Sequence, residues 1–261
     1  MTLIRTPAVA GQFYSGNAGE LSATVATLLD EAQDKEAPAP KALIVPHAGY
    51  IYSGPIAANA YARLRPYRDQ YQRVILLGPC HRTPVRGIAL CSADAYRMPM
   101  GDVPLDKSAI DRLTIPGVEV FDESHRYEHS LEVHLPFLQA VLGEFEVIPI
   151  VVGDAAPELV SEVLDALWGG PETLIVVSSD LSHYLPYEDA RAIDTVTCRA
   201  IETLDATQIT HKMACGATPI RGMLIAAKRH GLEVTTLDLR NSGDTAGDRD
   251  NVVGYGAWMF V

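Results

Sequence analysis

The sequence predicts an α/β protein with a layered αβα architecture and a central mixed, largely parallel sheet. Uninterrupted apolar runs, of the kind that suits strands covered on both faces, recur along the chain. Segments with helical apolar spacing lie between several of these runs, and such alternation is typical of α/β sheets. Neither an internal repeat nor a low-complexity tract interrupts the 261 residues, so we predict a single domain over residues 1–261.

The individual elements follow from local signals. The first helix is predicted in residues 17–35, with Asn17 as the N-cap, Glu20 at the capping-box position, and Leu21, Val25 and Leu29 at helical spacing. A short connection with prolines, residues 36–41, leads into the first buried strand. The predicted strands are residues 42–45, 74–78, 87–91, 147–153, 173–179, 234–239 and the C-terminal segment 256–261. The further predicted helices are residues 54–64, 128–142, 156–168, 187–205 and 218–230.

Charge and hydropathy exclude several classes of function. The chain carries 33 acidic and 21 basic residues, a net charge of -12, and has no basic cluster, so we expect no nucleic-acid partner. No apolar run reaches the roughly 18 to 20 residues that cross a bilayer, and the first residues lack the pattern of a signal peptide. These features predict a cytoplasmic protein that does not bind membranes.

Three strands of the predicted sheet are each followed by a histidine. His47 follows the strand at 42–45, His81 follows the strand at 74–78, and His183 follows the strand at 173–179. Ligands of open α/β sheets bind at the carboxyl ends of the strands, so these side chains converge if the strands are parallel neighbours. Imidazole is a common ligand of first-row transition metals. The pattern predicts a shared metal site.

The segment DESHRYEHSLEVHLPFLQAVL, residues 122–142, is rich in polar groups. In a regular helix His129 and His134 would lie about 140° apart and could not both face one ion, whereas His129 and Glu132 could share a face. Glu128 and His129 would lie near a helix N-terminus. Two interpretations remain open here: a solvated or capping face, and a supporting role beside the metal site.

The four cysteines form no Cys-x-x-Cys pair, so neither a disulfide framework nor a zinc ribbon is indicated. Cys215 precedes the helix predicted at 218–230, where a helix N-terminus favours the thiolate that binds metal or attacks a substrate. The alternative for Cys215 is a small buried apolar residue. Cys80, beside His81, is a rival candidate. The acidic segment 241–251 is predicted to be a solvated loop or a lid.

Motifs of other enzyme classes are absent from the sequence. There is no Gly-x-Ser-x-Gly, no Walker A sequence, and no Gly-x-Gly-x-x-Gly between a strand and a helix. These absences disfavour a serine hydrolase and a nucleotide-binding enzyme.

Six motifs occur in an order that is known from one family: PAVAGQFY, VPHAGYIYSG, LLGPCH, EHSLEVHLPFLQ, SSDLSHY and NSGD. The sequence therefore resembles the Memo family, including the bacterial and archaeal members called AmmeMemoRadiSam system protein B. The resemblance implies a fold like that of the class III, LigB-type extradiol dioxygenases and a pocket with three metal ligands. By motif, these ligands would be His47, His81 and Cys215. His183 would be the acid or base of the pocket, with Asp180 beside it.

We expect His129, Glu128 and Tyr50 to support the ligands or to contact substrate. The resemblance implies iron or copper as the metal; we expect Fe(II), with Cu or Zn as alternatives. It also implies a pathway shared with a radical-SAM enzyme and an AMMECR-type protein. Extradiol enzymes hold Fe(II) with two histidines and a carboxylate, so a thiolate as third ligand would shift the preference toward Cu(I) or Zn.

The leading functional hypothesis is a non-haem iron-dependent, dioxygenase-like oxidoreductase that acts on a small molecule or a modified residue. Two alternatives use the same pocket. One is a peptide- or protein-binding module, in which Phe13, Tyr14, Tyr50 and Tyr52 would line a groove. The other is a copper- or iron-handling protein, which a soft ligand would suit.

Overall fold

The structure is a computed structural model that describes residues 2–32 and 37–261. The strands are β1 (Ile4–Arg5), β2 (Ala42–Val45), β3 (Arg73–Pro79), β4 (Ile88–Leu90), β5 (Ala95–Met98), β6 (Gly101–Pro104), β7 (Val118–Val120), β8 (Glu146–Val152), β9 (Thr173–Ser178), β10 (His183–Leu185), β11 (Val234–Asn241) and β12 (Val252–Phe260). The helices are α1 (Ala18–Glu31), α2 (Tyr50–Tyr61), α3 (Lys107–Arg112), α4 (Asp122–Arg126), α5 (Leu135–Val141), α6 (Pro157–Leu167), α7 (Tyr187–Glu202) and α8 (Ala217–His230).

A nine-stranded mixed sheet carries the fold, in the order β10-β12-β2-β9-β3-β8-β4-β7, with β11 paired to β12. Its four central strands, β2, β9, β3 and β8, are parallel. The pairs of β12 with β2 and of β4 with β8 are antiparallel, and at the edge of the sheet β7 is again parallel to β4. A second, three-stranded sheet has the order β1-β5-β6. The predicted α/β class is confirmed.

Every residue of β2 and β9 is buried, which requires cover on both faces of the sheet. Two groups of helices provide this cover. α1, α2 and α5 contact one another, and α2 reaches β2, β11 and β12. α6 packs on α8, which contacts β3 and β9. No helix within the described residues combines the length and the hydropathy that a bilayer-spanning segment needs.

The predicted strands and longer helices are all present, with shifted boundaries. α2 begins at Tyr50, earlier than predicted, and a 3-10 helix, Ala62–Tyr67, continues it. The helix predicted at 128–142 is a 3-10 turn, Glu132–His134, followed by α5. The sequence did not predict β1, β5, β6, β7, β10, α3 and α4. Most of the segment 241–251 is exposed, as expected for a solvated loop.

The start of α1 matches its sequence signal. Asn17 Oδ1 accepts hydrogen bonds from the backbone N–H groups of Gly19 and Glu20, which satisfies two free donors of the first turn. Glu20 does not bond the Asn17 backbone directly. Instead the Ser15 hydroxyl accepts from Asn17 N–H and donates to the Glu20 carboxylate. α1 ends at Glu31, and residues 33–36 of the predicted helix and connection lie outside the described residues.

Candidate metal site

The carboxyl ends of the central strands place two of the predicted histidines. β9 lies between β2 and β3 and is parallel to both, so the three strands end at one edge of the sheet. His47 follows β2 and His81 follows β3, and their ring centroids are 5.2 Å apart. The predicted convergence of these two side chains is thereby confirmed.

The third histidine of the cluster is His129, which lies in the turn before the Glu132–His134 segment. Its ring centroid is 5.5 Å from that of His47 and 4.7 Å from that of His81. One ring nitrogen from each of the three residues lies within 4.8 Å of the others. The three imidazoles could therefore hold one metal ion.

Hydrogen bonds fix which nitrogen of His47 carries the proton. The Ser178 hydroxyl lies 2.6 Å from His47 Nδ1 and 2.7 Å from the carbonyl oxygen of Ser130. A carbonyl oxygen only accepts, so the hydroxyl proton goes to Ser130 and the hydroxyl oxygen accepts from His47 Nδ1–H. His47 Nε2 thus carries a lone pair, which is the donor that a metal requires.

His81 is fixed in the same tautomer by Glu128. The Glu128 carboxylate accepts from His81 Nδ1 at 2.9 Å and from the His81 backbone N–H at 2.6 Å. It also accepts from the backbone N–H groups of His129 and Ser130. Burial alone would raise the pKa of Glu128, but the hydrogen bonds and charge of His81 and the N–H donors lower it to about 2. An ionised carboxylate behind a histidine is a usual support of a metal ligand.

His129 has an incompletely paired ring. Its Nδ1 atom is buried, lies 3.4 Å from Glu128 Oε1, and makes no aligned hydrogen bond with any residue that the structure describes. Burial lowers the pKa of His129 to about 4, and burial and the neighbouring imidazoles hold the pKa of His47 well below its usual range. Both rings are therefore neutral at pH 7, the form that binds metals.

Cys215 lies beside the cluster. Its Sγ atom is 3.4 Å from His47 Nε2, and the Asp180 backbone N–H points at the same sulfur from 3.3 Å. Burial and the charge of Asp180 raise the pKa of Cys215 to about 12, so the expectation that the helix N-terminus favours its thiolate is wrong for the metal-free protein. A coordinated ion would deprotonate the thiol. Cys80 donates to Thr83 O, a residue of its own loop.

A close approach of the backbone explains Gly216, which follows Cys215. A Cβ atom at this position would lie 2.6 Å from the carbonyl oxygen of Ser178 and 2.7 Å from Ser179 Cβ. Only glycine lets the turn into α8 sit this close to the end of β9. This close approach places the Cys215 thiol next to His47.

His183 lies outside the group of three. Its side chain is exposed, and its Nδ1–H donates to Leu181 O at 2.7 Å. The ring is still close enough to influence the pKa of His47 and of Asp180. Asp180 Oδ1 accepts from the His47 backbone N–H at 2.7 Å. The expectation that Asp180 orients His183 is therefore wrong, because Leu181 holds His183 and Asp180 supports His47.

Three other polar side chains of residues 122–142 have structural roles: Glu132, His125 and His134. Glu132 is fully buried and binds the N-terminal arm: it pairs with Arg5 and accepts from Ala8 N, Val9 N and Tyr14 Oη. His125 and His134 hydrogen-bond to tyrosine hydroxyls in the core.

Tyr50 is 5% exposed, its hydroxyl donates to Val133 O, and its ring packs on Phe137. It supports the fold beneath the site and offers little surface to a substrate. Tyr14 is buried as well, at 5% exposure, whereas Phe13 and Tyr52 are partly buried. Of the four aromatic residues predicted to line a groove, only Phe13 and Tyr52 therefore offer accessible surface.

The cluster opens to solvent on the side of His81. The side chain of His81 is 27% exposed and that of His129 is 13% exposed, whereas His47 is buried. A cleft of about 280 Å³ adjoins this side, and both His81 and Cys215 line it. A small molecule could reach the cluster from there.

Fold and site together define an α/β protein whose central strand ends carry a histidine cluster that could hold a metal ion. The family profile described as Memo-like protein matches residues 5–259. A MEMO1 family protein of Aquifex aeolicus is 38% identical over 270 residues, covering 99% of each chain. One of Methanococcoides burtonii is 39% identical and covers 97% of this chain and 98% of its own. The chain belongs to the Memo family.

A solved structure supports the fold. The crystal structure of an uncharacterized protein, JW3007, from Escherichia coli K12 matches with a TM-score of 0.53. The match covers 84% of this chain and 98% of the other at 14% sequence identity. At this identity the similarity concerns the α/β fold alone.

Proposed function

We propose that this chain is a metal-dependent oxidoreductase in which His47, His81 and His129 hold one transition-metal ion, with Fe(II) as the working ion. The observation that carries the proposal is the tautomer of two rings: Ser178 and Glu128 bind the Nδ1–H groups of His47 and His81, which leaves a lone pair on Nε2 of both rings. Imidazole sets of this kind suit iron, copper and zinc.

The donor set fits a metal on two further grounds. The Nδ1 atom of His129 is buried without an aligned hydrogen bond among the described residues, and burial keeps the rings neutral. Cys215 can add a sulfur donor from its position beside His47. Bound Fe(II) would supply redox chemistry with dioxygen or a substrate. The substrate would be a small molecule or a modified residue that enters along the cleft.

His183 is the residue proposed to move protons. Its Nδ1–H is engaged by Leu181 O, so its Nε2 carries the lone pair that accepts a proton. The side chain is exposed and lies at the start of β10, directly after the loop that carries Asp180, which supports His47. A positioned acid or base typically contributes about 10²- to 10⁴-fold in rate, so His183→Ala should lose turnover and keep the metal.

A second function is favoured by Cys215. A thiol 3.4 Å from His47 Nε2 suits Cu(I), and a protein that hands on copper or iron would need the same pocket. A peptide-binding module is the third hypothesis. The link to a radical-SAM enzyme and an AMMECR-type protein stays a prediction from the family.

The deciding experiment is anaerobic purification without a metal-affinity tag, followed by elemental analysis. We expect close to one equivalent of metal in the wild type and loss of it in His47→Ala. His134→Gln is the matched control, because His134 is buried but lies outside the cluster. Equal trace content in wild type and His47→Ala would overturn the proposal. Redox cycling with oxygen consumption would distinguish the enzyme from a metal carrier or a binding module.

A further inference from the structure

Asp194 of α7 is a buried carboxylate that faces the loop after β9. It is 3% exposed, and it accepts from the Ser182 backbone N–H at 3.0 Å and from the Ser182 hydroxyl at 3.1 Å. Ser182 lies between Leu181 and His183, so one side chain of a distant helix binds the segment that carries the proposed proton-transfer residue. The sequence gives no motif for this contact.

β12 holds the same segment from the other side. The Leu181 N–H donates to Gly254 O at 2.8 Å, and the Gly254 N–H donates to Ser182 O at 2.8 Å. A Cβ atom on Gly254 would overlap the carboxylate of Asp194. Gly254 is thus the residue that lets Asp194 and β12 hold the segment together. We call Asp194, Ser182 and Gly254 the loop clamp.

The loop clamp determines what His183 can do. Leu181, held by Gly254, presents its carbonyl oxygen to His183 Nδ1 at 2.7 Å, which fixes the proton on Nδ1 and the lone pair on Nε2. The next residue, Tyr184, has a φ of 57°, an uncommon backbone conformation for a residue with a side chain. The β10 register shifts between His183 and Leu185 at this point. Such strain persists only where surrounding contacts impose it.

We propose that Asp194 and Gly254 are positioning residues that fix the tautomer and orientation of His183 for proton transfer. The proposal rests on the function proposed for His183 but concerns a property of the metal-free protein. A carboxylate suits the task because each of its oxygens can accept one of the two donors of Ser182. Burial raises the pKa of Asp194 to about 6, which means that the ionised carboxylate at this position lowers the stability of the folded protein.

The test is ¹⁵N NMR of the histidine rings, which reports the protonated nitrogen of each imidazole. In the metal-free wild type we expect His183 as the Nδ1–H tautomer. In Asp194→Ala and Gly254→Ala we expect loss of that tautomer in favour of a mixture. Asp194→Asn should retain it, because the amide oxygen can accept from Ser182 N–H and the amide N–H can donate to the Ser182 hydroxyl.

Thr197→Val is the matched control. Thr197 is buried in the same helix, and its hydroxyl bonds within the helix, so this variant should leave the His183 signals unchanged. If Asp194→Ala does not fold, Ser182→Ala, which removes only the hydroxyl contact, should show a measurable fraction of the second tautomer. Wild-type His183 signals in a folded Asp194→Ala, or in both Gly254→Ala and Ser182→Ala, would overturn the proposal. None of these readouts depends on metal content, so failure of the metal site would be seen separately.

Discussion

Removing the charge of Glu128 should weaken metal binding without changing any of the three histidines. The carboxylate accepts four N–H groups, from the His81 ring, the His81 backbone, His129 and Ser130. Oε1 accepts three of these donors and Oε2 accepts only the His81 backbone N–H, so in Glu128→Gln, with the amide oxygen at the Oε1 position, one donor loses its acceptor and the His81 ring keeps only an uncharged one. An unsatisfied buried donor costs about 1–3 kcal/mol, and a hydrogen bond to a neutral amide is weaker than one to a carboxylate, so the ring of His81 is held less firmly.

We expect Glu128→Gln to bind Zn²⁺ about 10- to 100-fold more weakly than the wild type, since supporting carboxylates of metal-bound histidines contribute that much. Isothermal titration of the metal-free protein measures this directly, and urea unfolding gives the stability change. Asp106→Asn is the matched control, because Asp106 is also a buried carboxylate but caps α3 and pairs with Arg73 at the start of β3, away from the strand ends that carry the cluster. It should lose stability and keep its Zn²⁺ affinity. Equal affinities for Glu128→Gln and wild type would refute the supporting role of Glu128.

Three further predictions concern residues around the site. The pKa of Asp194 is raised to about 6 from an ordinary 3.8, so its contribution to the free energy of unfolding is most favourable below pH 4 and is lost as the pH rises through 6. The stability of Asp194→Asn relative to wild type should therefore rise by up to about 3 kcal/mol between pH 4 and pH 7, as measured by urea unfolding. A difference that does not change with pH would contradict this. Gly216→Ala should lower the unfolding free energy by about 1–3 kcal/mol, because the added methyl group would clash with Ser178 O. An unchanged denaturation midpoint would contradict this and show that the turn can shift to accommodate the methyl group. Cys215→Ser should reduce Cu(I) affinity more than Zn²⁺ affinity in competition assays, and wild-type affinity for both ions would remove Cys215 from the ligand set.

The positions of His47 and His81 were predictable because they depend on one rule. Parallel neighbouring strands end at the same edge, so a residue shortly after one strand meets its counterpart after the next. The continuous apolar runs of β2, β3 and β9 identify these strands in the sequence. For the same reason the α/β class was predictable, whereas the short strands β5, β6 and β7 carry too weak a pattern.

His129 was predicted only as a supporting residue because its place depends on contacts between distant parts of the chain. The angle of about 140° between His129 and His134 applies to a regular helix, but the chain at His129 is a turn. Arg5 holds this turn by donating to the carbonyl oxygens of His125 and Glu128, more than 100 residues away. The segment that carries His183 is likewise held by Asp194 and by Gly254, which are distant from it in the sequence. Local sequence does not encode such contacts.

The most direct test of the metal site is X-ray absorption spectroscopy of the Zn²⁺-loaded protein. We predict three imidazole nitrogens at about 2.0–2.1 Å, with a sulfur at about 2.3 Å if Cys215 joins them. Loss of one imidazole from the spectrum of His129→Ala would assign the third ligand. A wild-type spectrum with fewer than three imidazoles, or one that His129→Ala leaves unchanged, would contradict the assignment of His47, His81 and His129 to one ion.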